Sequence, residues 1–174
     1  NPDHVMQVIS AAVKRAGSPT ALIVSNELQI RNKLRALLEQ NGVISVETNS
    51  DAGSISQALN LQPSIDMIFL YANAPQNVFD TAYEKLARDG RTEGAPLYAI
   101  RNPREPSASL EGRENIVRII SPDHLRADPV KKLVDQAQEQ VQILASPERS
   151  HTVLMAARAL QKVDPSTTRY PLSV

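Results

Sequence analysis

Short apolar runs recur along this chain between stretches of helical period, and that alternation restricts the fold more than any other property of the sequence. The runs Ala21–Val24, Met67–Leu70, Pro96–Ile100 and Ile116–Ile120 are too continuously apolar for strands with one wet face. Val43–Thr48 comes close to strict alternation, as an edge strand does. Helical stripes fill the intervals. Glu27–Gln40 carries Ile30, Leu34, Leu37 and Leu38 on one face and stops at Asn41-Gly42. Ser50 is placed to cap a helix through Leu61 that buries Ile55, Ala58 and Leu59. Val78–Arg88 presents Phe79, Ala82, Tyr83 and Leu86 ahead of a Gly90–Gly94 turn, and the Asp-Gly-Arg inside that turn reads as turn chemistry. Asp128-Pro129 opens a helix with Val130, Leu133, Val134, Ala137, Val141 and Leu144 facing inward. The exception is Asn102–Asn115, polar, with Pro103 and Pro106 and almost no stripe, where a helix is predicted to be short or missing.

Five such strands alternating with helices predict an α/β fold, a mainly parallel sheet covered on both faces. Right-handed crossovers leave few topologies for it, and the flavodoxin-like doubly wound order 2-1-3-4-5 is the expected one. Two further helices lie outside that unit. Asn1 and Pro2 open a stripe of Val5, Ile9, Ala12, Val13 and Ala16 that ends at Gly17, and Ser146-Pro147 opens another with Leu154, Ala157 and Leu160. Asp164–Val174 holds Pro165 and Pro171 with no period, which fits a linker or docking strap. The expected organisation is an appended helix over 1–19, a central domain over 20–145, and a helix with tail over 146–174.

Composition removes several function classes. Lys and Arg total 19, Asp and Glu total 19, and the net charge is zero, so no basic footprint favours nucleic acid or an anionic membrane. Cysteine is absent, which excludes disulfides, thiolate nucleophiles and thiolate metal sites. No apolar run approaches the ~20 residues of a membrane span, and a cytoplasmic location is expected. His4, His124 and His151 are far apart and lack carboxylates at ligand spacing. The glycines form no phosphate cradle, and no serine has the Gly-flanked turn of a hydrolase nucleophile, so an enzyme is not expected and neither is a resident cofactor.

The run Ala21-Leu22-Ile23-Val24-Ser25-Asn26-Glu27, the helix Ile30 to Gly42 and the stretch Asp66 to Pro75 together resemble the receiver domain of bacterial two-component response regulators. The resemblance spans about Thr20 to Ala145. It implies a domain whose family members accept a phosphoryl group on an aspartate at the end of the third strand. A magnesium ion on an acidic pair after the first strand assists them, with a hydroxyl residue after strand four and a lysine before proline after strand five. Carried over position by position, the acidic pair falls on Ser25 and Asn26, with Glu27 one residue further on. The acceptor falls on Tyr71, the hydroxyl on Arg101 and the lysine on Ser121, although Pro122 is kept. Asp66 opens strand three and lies ~16 Å from the acceptor position at ~3.3 Å per residue.

The resemblance is therefore to a pseudo-receiver that does not take up phosphate. Mg²⁺ needs one or two carboxylates beside water and phosphate oxygens, and serine with asparagine substitutes poorly. Two readings of the altered edge follow. In one, Ser25, Asn26, Arg101 and Ser121 form a donor-rich pocket for a small anion or cofactor, walled by Tyr71. In the other, favoured, reading Arg101 pairs with Glu27, Tyr71 plugs the vacated cup and no ligand binds. The expected function is a protein-interaction or regulatory module in signal transduction. Its partner is another protein, a neighbouring domain or a second copy, and it is neither nucleic acid nor membrane.

Overall fold

In the computed structural model, residues 18–62, 65–92 and 94–144 are described, and Ser18–Gln140 form one compact unit. The expected helices before Gly17 and after Ser146, and the tail, lie outside the described residues. The elements run β1 (Thr20–Val24), α1 (Leu28–Glu39), β2 (Ile44–Thr48), α2 (Ala52–Leu61), β3 (Met67–Tyr71), α3 (Gln76–Arg88), β4 (Leu97–Ile100), β5 (Ile116–Ile120) and α4 (Ala127–Leu144), with a 3₁₀ turn at Pro122–His124. All strand pairs are parallel, and the five-stranded sheet has the order β2-β1-β3-β4-β5.

The solid apolar runs are solid because each strand feeds two cores. From one face of the sheet, Ala21, Ile23, Phe69, Tyr98 and Ile100 meet Leu34 and Leu38 of α1 and Val130, Leu133, Val134 and Ala137 of α4. From the other, Leu22, Val24, Ile68, Leu70 and Leu97 meet Ile55 and Leu59 of α2 and Phe79, Tyr83 and Leu86 of α3. Successive residues of β1 and β3 thus enter opposite cores, which is why polar alternation is missing from them. Edge strand β2, paired on one side only, is half buried over Ile44–Glu47 and buried at Thr48.

Helix starts differ from the sequence expectation in α2, α3 and α4, and α3 begins at Gln76, two residues before Val78. Asp51, not Ser50, caps α2: its Oδ1 accepts the Ser54 N–H at 2.8 Å. Ser50 is buried instead, and its N–H donates to Asn26 Oδ1 at 3.0 Å. Helix α4 begins at Ala127, so Asp128 lies within the first turn, where a carboxylate complements the helix dipole without capping it. Asn41-Gly42 does end α1, with Gly42 at φ 70°, a conformation that costs glycine nothing.

No helix forms between β4 and β5, in agreement with the missing stripe. The loss leaves apolar surface open. Val117 and Ile119 are 59% and 52% exposed on β5, at the sheet's outer edge.

The turn after α3 is locked by charge. Arg91 donates through Nε and Nη2 to the two Asp89 oxygens, each at 2.8 Å, and Lys85 approaches to 3.4 Å. The Arg91 hydrogen bonds hold the Asp89 carboxyl well below the usual carboxylate range. A depressed folded-state pKa stabilises above the unfolded value of about 3.9 and loses that contribution as pH falls through the folded value. Asp89→Asn is therefore expected to cost about 1–2 kcal/mol at neutral pH, a difference that shrinks below pH ~4. Urea unfolding of both proteins at pH 7 and pH 3 checks this; an equal gap at the two values would contradict it.

Candidate functional site at the carboxyl edge

A parallel sheet gathers the residues that follow its strands along one edge, and Ser25, Asn26, Glu27, Tyr71, Arg101 and Ser121 all lie there. Their side chains turn mostly to the chain's own backbone. Ser25 is 1% exposed and its Oγ accepts the Glu27 N–H at 3.0 Å, closing the turn into α1. Asn26 Oδ1 accepts the Ser50 N–H. Ser121 Oγ accepts the Asp123 N–H at 3.4 Å, capping the 3₁₀ turn. Arg101 donates its backbone N–H to Ile120 O at 2.9 Å while its side chain is exposed, and no ion pair joins it to Glu27 among the described residues.

Two groups without any periodic signal in the sequence complete the edge. Arg31, one turn into α1, donates to the Ser25 carbonyl at 3.0 Å and to Asn49, and approaches Glu47 at 3.7 Å, tying the ends of β1 and β2 together. Glu105 comes from the β4–β5 connection. The Tyr71 hydroxyl donates to Glu105 Oε2 at 3.3 Å, and Asn102 Nδ2 donates to Oε1 at 2.6 Å. Burial first, then the negative charges of Glu105 and Glu27, push the Tyr71 phenol up to about 12. At neutral pH it is a protonated donor to a carboxylate, with little nucleophilic character.

This donor set does not fit a magnesium ion. Glu27 is the one carboxylate at the three positions after β1, Glu105 is already engaged, and no cluster of three acidic or histidine side chains able to hold a metal occurs among the described residues. Asp66 accepts the Thr20 N–H at 2.7 Å at the opposite, amino end of the strands. A shallow concavity lined by Arg35, Glu39, Gly42, Val43, Ile44, Ser45 and Glu47 follows β2 and does not reach Tyr71. No described helix is long and apolar enough to cross a membrane.

Neither a family model nor a curated protein matches the chain. Solved structures do. A response regulator receiver domain from Methylobacillus flagellatus superposes with a TM-score of 0.57 at 14% identity, covering 70% of this chain and 99% of that one. The signal receiver domain of an HD domain-containing protein from Pseudomonas fluorescens Pf-5 gives 0.57 at 18% identity over 72% and 98%. The receiver domain of a sensor histidine kinase from Pseudomonas aeruginosa PAO1, with magnesium in its active-site cleft, gives 0.53 at 14% identity over 69% and 97%. Strand order, parallel pairing and helices on both faces agree with these similarities, and the unit thus has the CheY-like fold of response-regulator receiver domains.

Proposed function

We propose that this chain is a receiver-like module that does not accept phosphate and acts in signal transduction through contacts with another protein or a neighbouring domain. The observation that carries the reading is Tyr71, which stands where the resemblance puts the phosphoacceptor and donates its hydroxyl to Glu105. A carboxylate nucleophile is missing at that point, a single carboxylate stands where an acidic pair would hold a metal, and the charges of Glu105 and Glu27 bear on the phenol. Each of these opposes attack on a phosphodonor, and the first alone removes the usual nucleophile. The exposed aliphatic side chains of β5 supply a surface of the kind that partners cover. A sensor for a small anion or cofactor is the weaker reading, because Ser25 is buried and the carboxylates of Glu27 and Glu105 flank Tyr71 at the same edge.

Incubation with acetyl phosphate or beryllofluoride and Mg²⁺ is expected to leave the intact mass and the amide NMR spectrum unchanged. A mass gain of one phosphate would refute the proposal. For the interaction role, Val117→Asp with Ile119→Asp is expected to abolish association with a copurifying protein while leaving the melting temperature within a few degrees. Association that survives both substitutions would place the contact elsewhere.

A further inference from the structure

The connection between β4 and β5 is tied down almost wholly by polar contacts, and those of its first half converge on one side chain. Asn73, two residues beyond β3, donates through Nδ2 to the carbonyls of Asn102, Glu105 and Pro106 at 3.0, 3.3 and 3.1 Å. Its Oδ1 accepts the Asn102 N–H at 2.6 Å. The same stretch is held further along by the Ala108 N–H to Ala72 O at 2.9 Å and the Ser109 N–H to Gln76 Oε1 at 2.7 Å. At its far end Arg113 meets Asp80 and lies 4.9 Å over the Tyr83 ring. Apolar anchorage is limited to Ala108, which is buried, and Leu110, which is partly so.

We infer that this connection is a latched strap: Asn73 fastens its first half over the carboxyl edge, and release of that one side chain withdraws Glu105 from Tyr71 and opens the edge. The geometry separates the two halves. Asn73 acts on residues 102–106, which carry Glu105, whereas Arg113 and its partners act on the return toward β5. A side chain that shares its two N–H donors among three carbonyls and accepts one amide ties four backbone groups at once, so its loss loosens them together. The ligand-prone edge of the sheet is in this way filled from within, by a segment that can leave while the sheet stays folded. The inference stands on the strap's own hydrogen bonds and holds whether or not β5 meets a partner.

Asn73→Ala tests it by amide hydrogen exchange and limited trypsin digestion of the full chain. Exchange at Asn102 and at Arg104 and Glu105, whose amides do not bond Asn73, is expected to rise at least about tenfold, with faster cleavage after Arg101 and Arg104, while amides of β1 and β3 keep their protection. Arg113→Ala is expected to loosen the return segment and leave the Asn102 amide protected. Unchanged exchange at Asn102 in Asn73→Ala would overturn the latch. So would a loss of protection spread evenly over β1, β3 and the strap, or an Arg113→Ala variant that frees Asn102 equally.

Discussion

Truncating Phe69 to alanine is expected to lower the unfolding free energy by about 3–5 kcal/mol, the range for deleting a buried aromatic side chain. Phe69 is fully buried in β3, the middle strand of the sheet, with neighbours hydrogen-bonded on both sides. Its ring lies 5.3 Å from that of Tyr98 at 35°, within the core shared by α1 and α4. A strand paired on both edges cannot shift to fill the void, so the transfer loss and the cavity cost add. Chemical denaturation monitored by far-UV circular dichroism measures it. A loss below about 1.5 kcal/mol would mean that β3 is not the centre of the fold.

Tyr71→Asp restores the residue type that the resemblance puts at the end of the third strand, and it is expected to harm the protein rather than activate it. Tyr71 is 8% exposed and feels the charges of both Glu105 and Glu27. An aspartate there loses the aromatic burial, and its charged form meets desolvation and two like charges. The combined cost at pH 7 is about 3–5 kcal/mol. Both effects raise its folded-state pKa above the unfolded value of about 3.9. The sign for a raised group then follows: the penalty is absent below that value and grows as pH climbs through the folded one. Urea midpoints should recover toward wild type between pH 7 and pH 5, and acetyl phosphate with Mg²⁺ should still add no phosphate. A variant as stable as wild type at pH 7, or one that gains phosphate, would show that the edge tolerates an acid and a metal.

Burial on two faces leaves a mark in sequence, and for that reason β1 and β3 were legible almost to the residue, as was the open edge at β2. The same logic made the missing helix between β4 and β5 visible, since a helix without a stripe has nothing to bury. What replaces it was not visible. Asn73 binds three carbonyls through one amide group, and such a contact has no period, no spacing and no composition bias. Glu105 reaches Tyr71 from a polar stretch with almost no stripe, whereas the expected ion pair of Arg101 with Glu27 is not found among the described residues. Ser50 and Asp51 show the local form of the difficulty. Both can cap a helix; Asp51 does so, while Ser50 is buried with its amide held by Asn26, far away in sequence.

A segment anchored by amides and carboxylates answers temperature differently from the sheet beneath it. Heat capacity rises on unfolding chiefly through newly wetted hydrocarbon, and Ala108 and Leu110 are the apolar groups through which the β4–β5 strap joins the core. Its local opening thus carries a small heat-capacity increment and a nearly temperature-independent enthalpy. The global transition of the sheet, with its two cores, follows a strongly curved stability profile.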